Sequence, residues 1–246
     1  MVLNKPISTY ASIKHGYAFA GEYFSKEKQD YILLTPGNFH IDQRLYFGVN
    51  TKYYNGPIDD GYVLSNGDLL VVMTDLTKDM AILGNAVMLY SDVPVLHNQR
   101  IGLVETNEDV SKEYLCYLIN SEHVRRHVKA TASGTTVRHT SPSKMLNVKA
   151  YFPPLPEQQK IAKILSTCDK AISTTERLIE NSTQQKKALM QQLLTGKKRL
   201  LDDDGNRFAG EWEEVKLGKI SDVRDGTHDS PEFIDVGYPL ITSKNL

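Results

Sequence analysis

Cysteine is scarce in this sequence, and long apolar runs are missing from it. Of 246 residues only Cys116 and Cys168 are cysteines, and their separation matches no metal-binding or redox spacing. No stretch approaches the roughly 18–20 apolar residues of a membrane helix, and the N-terminal residues lack the apolar core of a signal peptide. We therefore expect a protein of the reducing cytoplasm with no membrane partner, in which both cysteines act as small apolar residues.

Motifs that support catalysis are missing as well. The sequence has no G-x-x-x-x-G-K-[ST] phosphate loop, no G-x-G-x-x-G fingerprint and no H-E-x-x-H pair. Its E-x-K stretch, from Glu214 to Lys216, follows an acidic linker and lacks the proline-aspartate element of metal-dependent nucleases. His123 and His127 are spaced i, i+4 but have no third ligand nearby in the sequence. These absences predict a chain without catalytic residues and without a metal site.

Charge is distributed unevenly, although the formal net charge is only −1. The stretch from His123 to Pro156 contains no carboxylate. Its basic residues are Arg125, Arg126, Lys129, Arg138, Lys144 and Lys149. A solvated basic helix end is one interpretation. A surface that faces phosphates is the better one, because carboxylates on such a surface would repel a nucleic-acid backbone.

The first part of the chain alternates short β-type segments with turns, which predicts a mixed α/β (α+β) domain over residues 1–155. A helix is expected to begin after the cap residue Ser111 and to run to about Lys129. Three segments are rich in β-preferring residues and bounded by turn signals: Asp30–Thr35, Gly67–Thr74 and Asn85–Tyr90.

A long helix is predicted next, inside a spacer segment at 156–200. Pro156 and Glu157 suit the start of a helix, and Gly196 suits its end. At 1.5 Å per residue, the stretch from Glu157 to Thr195 would be roughly 58 Å long, too long to bury itself on one small domain. We therefore expect a partner helix to cover its coiled-coil seam. The register follows alternating steps of four and three from Ile161 to Leu193 and passes through the polar positions Thr175, Ser182 and Lys186. The seam residues are Ile161, Leu165, Cys168, Ile172, Ile179, Leu189 and Leu193. The alternative is an ordinary amphipathic helix folded onto the first domain.

The end of the chain is similar to its beginning. After a polar linker at 201–211, Ser221–Gly226 matches Ala11–Gly16 and Tyr238–Leu246 matches Tyr31–Phe39, at offsets of 210 and 207 residues. A long-period repeat of this kind indicates duplicated modules. Residues 212–246 are therefore predicted to be the N-terminal piece of a second copy of the first domain.

The most specific motif of the sequence runs from Tyr151 to Gly196. It consists of P-L-P-E-Q-x-x-I-A, heptads and a final L-L-T-G. This run resembles the conserved region of specificity subunits of bacterial type I restriction–modification systems. Four further segments resemble parts of the target recognition domains of those subunits, so that the resemblance covers nearly the whole chain: Ile13–Phe24, His97–Val104, Ser133–Thr136 and Trp212–Val223.

The resemblance implies a non-catalytic subunit that recognises double-stranded DNA for DNA methylation and phage defence. In that family two target recognition domains each read half of a bipartite site, and two antiparallel helical spacers hold them apart. The implied partners are methyltransferase (modification) subunits, which bring S-adenosylmethionine, and a restriction/translocase subunit, which brings ATP and Mg²⁺. No cofactor is expected on this chain itself.

The resemblance also implies that the chain is truncated within its second target recognition domain. The second spacer helix would then come from another chain. A homodimer mate is one source, because two copies could pair their spacers antiparallel and form a two-fold symmetric assembly.

The residues expected to contact DNA have side chains that suit base edges or phosphates. Half of them belong to the small-residue loop Ala132–Pro142, which we call the acid-free loop. The expected set is Ser133, Thr135, Thr136, Arg138, His139 and Lys144, together with Lys14, His15, Asn38 and Lys52.

Two other functions are compatible with these residues. The chain could be the DNA-recognition subunit of another restriction class. It could also be a coiled-coil interaction protein without DNA binding, in which case the purified chain would dimerise through the seam and show no retention on DNA.

Overall fold

The structure is a computed structural model that describes residues 3–222 and the single positions 224, 236 and 239. The chain divides into two compact units, Met1–Glu176 and Arg177–Leu246, and the boundary falls inside the longest helix. Of the two matches that indicate an internal repeat, half of Ser221–Gly226 and nearly all of Tyr238–Leu246 lie outside the described residues. The second copy of the first domain therefore stays a prediction.

Short strands dominate the first unit. They are β1 (Leu3–Pro6), β2 (Ala11–His15), β3 (Phe24–Ser25), β4 (Tyr31–Leu33), β5 (Lys52–Tyr54), β6 (Val63–Leu64), β7 (Leu69–Val72), β8 (Thr74–Asp75), β9 (Ala86–Met88), β10 (Val95–Leu96), β11 (Ile101–Thr106), β12 (Arg138–His139) and β13 (Lys149–Phe152). The helices are α1 (Lys112–Asn120), α2 (Glu122–Ala130), α3 (Pro142–Leu146), α4 (Leu155–Leu194) and, in the second unit, α5 (Leu217–Ile220).

The strands form two larger sheets and two isolated pairs. One sheet is antiparallel with the order β2-β11-β7-β9, and the other is mixed with the order β3-β5-β4-β10-β6, in which only β4 and β10 run parallel. The pairs are β1 with β13 and β8 with β12, both antiparallel.

Strand β7 explains how both faces of the antiparallel sheet are covered. Its four residues are all buried, and successive side chains of a strand point to opposite faces. Leu69 and Val71 join the core cluster that includes residues of α1, α2 and α3, whereas Leu70 and Val72 join a second cluster with residues of β4, β6 and β10. A continuous apolar strand of this kind is typical of a sheet between two layers.

The predicted single helix from Ser111 to about Lys129 is wrong, because two helices meet at Ser121. Ser111 does cap α1, accepting the Tyr114 N–H at 3.3 Å. Ser121 has an extended backbone (φ −62°, ψ 150°), so α1 ends there and α2 begins. The side chain of Asn120 bonds both backbone groups of Ala86 on β9, at 2.7 and 2.9 Å. This contact with the sheet fixes the position at which α1 stops.

Helix α4 has the predicted length and ends within two residues of the predicted bounds. It covers 40 residues, from Leu155 to Leu194. It ends where Gly196 adopts a left-handed backbone (φ +71°) and Lys198 N–H donates to the Gln192 carbonyl at 2.9 Å. A residue with a Cβ is strained in that conformation, which is why glycine is common after a helix.

The beginning of α4 is anchored to the first unit by Gln158. Its side chain is 1% exposed. It accepts the Ser111 N–H at 3.0 Å and donates to the carbonyls of Asp109 and Pro153 at 3.2 and 2.8 Å. Further along the helix, the Tyr117 hydroxyl donates to Asp169 at 2.6 Å.

Candidate nucleic-acid interface

Three segments that carry polar and basic side chains are connected to the same end of the antiparallel sheet. In its register His15 is opposite Gly102 and Val72 is opposite Ile101. Strands β2 and β7 therefore finish where β11 begins, and the chain next to each strand lies at that end. Lys14 and His15 are exposed on β2. The sheet thus gathers two predicted DNA-contacting residues with the segments that follow β7 and precede β11.

The acid-free loop is attached to this same end by the β8–β12 pair. Asp75 is opposite Arg138, and Thr74 is opposite His139. The Thr74 hydroxyl oxygen and His139 Nδ1 are 3.2 Å apart. Because β8 follows β7 after a single residue, the acid-free loop lies beside the sheet end at which β2 finishes.

The acid-free loop closes on itself through its own backbone. Ser133 and His139 exchange two backbone hydrogen bonds of 2.9 and 2.8 Å, and the Arg138 guanidinium donates to the Gly134 carbonyl at 2.6 Å. Gly134 has a φ of +92°, and a Cβ there would lie 2.0 Å from the Val137 carbonyl oxygen. Only glycine fits this turn, so the loop has a defined shape.

Three hydroxyl side chains of the loop lie at the surface. Ser133, Thr135 and Thr136 are exposed, and Arg138 is half-buried. Lys144 is half-buried on α3, whose first turn is capped by Ser141. Hydroxyl and guanidinium groups of this kind serve as phosphate contacts.

Two of the predicted residues do not belong to this end of the sheet. Lys52 lies on β5 of the mixed sheet, with its Nζ 5.6 Å from the centroid of the Phe24 ring. Asn38 requires a correction, because it is only 2% exposed. Its side chain accepts from the Thr35 N–H at 2.9 Å and donates to the Tyr46 carbonyl at 3.3 Å. Asn38 therefore stabilises a turn and is not available to contact DNA.

Gln99 and Arg100 were missed by the sequence reasoning, although they are exposed at the start of β11. The turn that presents them is fixed by His97, which is buried and whose Nε2–H donates to the Ile101 carbonyl at 2.9 Å. Burial lowers the pKa of His97, so the ring is neutral and can keep this tautomer at neutral pH. Glutamine and arginine are residue types that bind base edges. Their place within His97–Val104, a segment of the family resemblance, was the available signal.

His123 and His127 are not arranged as metal ligands. His123 Nε2 donates to the Lys149 carbonyl at 3.0 Å. Within the part of the chain that the structure describes, no group of three His, Cys, Asp or Glu side chains is placed to hold a metal ion.

None of the helices in residues 3–222 combines the length and the apolar character that crossing a bilayer requires.

The chain belongs to the family of the type I restriction modification DNA specificity domain, whose model matches residues 13–182. The family resemblance found in the sequence is thereby confirmed.

The chain is also similar to two curated specificity subunits. It is 26% identical over 215 residues to the type I restriction enzyme MjaVIII specificity subunit of Methanocaldococcus jannaschii, covering 84% of this chain and 50% of that protein. It is 28% identical over 229 residues to the type I restriction enzyme EcoBI specificity subunit of Escherichia coli, covering 87% and 45%. The chain thus spans about half the length of the curated relatives it matches.

Solved structures show the same fold. The type I restriction–modification S subunit from M. genitalium aligns with a TM-score of 0.54 and 17% identity over 78% of this chain and 45% of that chain. A chain from a study of complex assembly and conformational transition of the type I R-M system aligns with a TM-score of 0.53 and 15% identity, over 77% and 44%. The predicted fold class, a mixed α/β domain followed by a long helix, is confirmed.

Proposed function

We propose that this chain recognises DNA for a type I restriction–modification complex and is not itself a catalyst. The first unit reads one half of a bipartite site, and the acid-free loop is the centre of its interface. Reactions on the DNA then belong to partner subunits: methylation to modification subunits with S-adenosylmethionine, and translocation and cleavage to a subunit with ATP and Mg²⁺.

One observation carries this proposal: the acid-free loop joins the sheet end that also presents Lys14, His15 and Arg100. Hydroxyls of the loop and the Arg138 guanidinium suit phosphate oxygens, whereas Gln99 and Arg100 suit base edges. Because the stretch from His123 to Pro156 lacks carboxylates, it offers the positive surface that a DNA backbone requires.

Salt dependence of DNA binding tests the proposal. The full chain, alone and with its modification subunits, is titrated against a labelled duplex library between roughly 50 and 200 mM salt. If the surface neutralises about four phosphates, affinity falls about a hundredfold over this range. Binding that is absent in both settings, or that does not change with salt, would refute the proposal.

The variant Arg138→Ala tests whether DNA binds at the acid-free loop. We expect this variant to bind DNA about tenfold more weakly and to lower the salt slope by about one. Lys28→Ala is the matched control, because Lys28 is an exposed cation in the connection between β3 and β4. Equal losses in the two variants would show that general charge, and not the acid-free loop, determines the binding.

We propose further that the exposed part of α4 is a spacer that pairs with a second helix. Every residue from Lys163 to Gln192 is exposed except Ser166, which is half-buried. The exposed fractions of the seam residues Leu165, Ile172, Ile179 and Leu189 range from 39% to 63%. Apolar side chains repeated in this register are typical of a helix with a partner.

A second copy of the chain, paired antiparallel, is the partner that we propose for this helix. Such pairing would place two recognition units at opposite ends of one two-fold assembly. Sedimentation velocity of the purified chain measures this, and a concentration-dependent dimer is expected. A chain that remains a monomer at all concentrations would refute the homodimer but leave DNA recognition intact.

A further inference from the structure

The connection between β8 and β9 is held more firmly than its exposed position requires. We call residues 75–83 the tethered loop. The Asp75 side chain is fully buried. Its carboxylate accepts three backbone N–H groups, from Thr77, Ile82 and Leu83, at 2.6, 2.7 and 2.8 Å. One carboxylate therefore binds both ends of the loop and fixes its width.

Further contacts fix the middle of the tethered loop. The Thr77 hydroxyl accepts the Ala81 N–H at 2.8 Å. From helix α2, Arg125 donates to the Ala81 carbonyl at 2.8 Å and Lys129 donates to the Asp79 carbonyl at 3.2 Å. Met80 adopts a left-handed backbone (φ +50°), a conformation that costs free energy unless the surroundings impose it. The backbone of this loop is thus preorganised.

Leu76 is the side chain that this fixed backbone displays. It is 68% exposed, while its neighbour Asp75 is buried completely. An isolated exposed leucine is ordinary on a protein surface. Here, however, Leu76 follows the first residue of the tethered loop, and hydrogen bonds fix the conformation of this loop at both ends. Ordering a contact residue before binding lowers the entropy that binding must lose.

The β8–β12 pair places the tethered loop directly beside the acid-free loop. Asp75 and Arg138 are opposite each other, so the chain continues from this pair to Leu76 on one side and to Val137 on the other. The loop carries Asp75, Lys78 and Asp79, and Arg125 and Lys129 beneath it add two positive charges, so these five groups have a formal net charge of +1. This setting favours an anionic ligand, such as a DNA backbone, over a basic or apolar protein surface.

We infer that the tethered loop is a second base-contacting element of the interface, in which Leu76 makes an apolar contact that discriminates between base pairs. In the major groove the thymine methyl group is the apolar feature that a leucine can contact, and in the minor groove leucine can insert between base steps. Either contact depends on sequence, unlike a contact with phosphate. The inference rests on the proposed DNA recognition and adds a specificity-determining residue to it.

Selection from a randomised duplex library separates this role from general affinity. The full chain with its modification subunits is used, as wild type, as Leu76→Ser and as the control Tyr90→Ser. Tyr90 is also 68% exposed but follows β9 at the opposite end of the sheet, where Met88 is opposite Leu69. We expect Leu76→Ser to lose roughly tenfold of the preference at one or two adjacent base pairs. Its salt slope and the preferences at other positions should match those of the wild type, and Tyr90→Ser should be unchanged.

Asp75→Asn provides a second variant that acts through the loop backbone. It keeps the size of the side chain but replaces one acceptor oxygen by an NH₂ group, so the tethers of the loop weaken. The preference at the same base pairs should decrease while binding to random-sequence DNA persists. Added salt should not restore the preference at those base pairs, because the contact that is lost is apolar.

The outcomes distinguish the inference from the proposal beneath it. A wild-type chain that selects no sequence refutes the proposed function. A wild type with a clear preference that Leu76→Ser leaves intact at every position overturns the inference alone. A Leu76→Ser variant that keeps its sequence preference but binds modification subunits more weakly identifies the loop as a protein contact, which also overturns it.

Discussion

The first two turns of α4 and the turns after Ala162 belong to the same helix but have opposite environments. Gln158 and Ala162 are buried in the first unit, whereas the stretch from Lys163 to Gln192 is exposed except for half-buried Ser166. The apolar periodicity continues through both parts. The difference teaches that periodicity identifies the face of a helix that needs a partner, while the partner itself is identified only by packing. Four predictions test this contrast.

The two cysteines give the largest expected difference. Cys116 lies on α1, where burial raises the pKa of its thiol to about 12, and Cys168 is exposed on α4. Since the thiolate is the nucleophile, Cys116 should react with a soluble alkylating reagent at pH 8 roughly a hundredfold more slowly than Cys168. Mass spectrometry of the two tryptic peptides measures both rates. Comparable rates in the native chain would contradict the assigned environments, and unfolding the chain should make them equal.

Gln158→Leu should destabilise the first unit by about 2–3 kcal/mol. The variant keeps a side chain of similar size but leaves the Ser111 N–H and the Asp109 and Pro153 carbonyls without their partner, and an unpaired buried polar group costs about 1–3 kcal/mol. Urea unfolding followed by circular dichroism measures the loss. Gln159→Leu, at an exposed position on the same turn, should change the free energy of unfolding by about 0.5 kcal/mol or less.

Ile172→Asp tests the exposed part of the helix. Ile172 is 50% exposed, so the substitution should leave the unfolding midpoint of the chain alone nearly unchanged. In an assembled seam it would bury a charge, and pairing should weaken by at least about tenfold. Sedimentation velocity of this variant and of Thr174→Asp, two positions further along the helix and outside the predicted seam, gives the comparison. Equal effects of both variants would locate the pairing surface on another face.

Arg44→Ala should have the smallest effect. The Arg44 guanidinium donates to Glu176 at 2.6 Å, but both side chains are about half exposed, and exposed ion pairs contribute about 0.2–1 kcal/mol. We expect a loss near about 0.5 kcal/mol in the free energy of unfolding, and less at high salt. A loss as large as that of Gln158→Leu would mean that the ion pair holds α4 on the first unit as firmly as the buried amide does.

Local sequence signals were sufficient for the elements that depend on neighbouring residues. Helix α4 was predicted from a repeated stripe, a proline and glutamate at its start and a glycine after its end, all of which act within a turn or two. The break at Ser121 had a local signal too, a serine followed by glutamate, but the apolar periodicity across it was stronger. The contact of Asn120 with Ala86 decides between them, and it joins residues far apart in the chain.

The candidate interface was predictable only in part, for the same reason. The acid-free loop was found because a missing residue type is visible in a sequence. Its attachment to the sheet end through Thr74 and Asp75 was not, because no spacing rule relates residues 74–75 to 138–139. Asn38 was included for its side-chain chemistry, yet its position in the Thr35 turn uses that chemistry within the protein. The role of Gln158 likewise depends on long-range contacts of a single side chain.

The three hydrogen bonds of Gln158 have a consequence for cooperative opening. One amide joins the cap of α1, the segment before it and the proline step that precedes α4. Opening any of these three segments breaks a hydrogen bond to Gln158, so we expect them to open together and to exchange their amide protons as a single unit. The Ser111 N–H is a reporter for that unit: its hydrogen-exchange protection should equal that of the first turns of α4. We therefore expect a helix held in this way not to fray at its first turns.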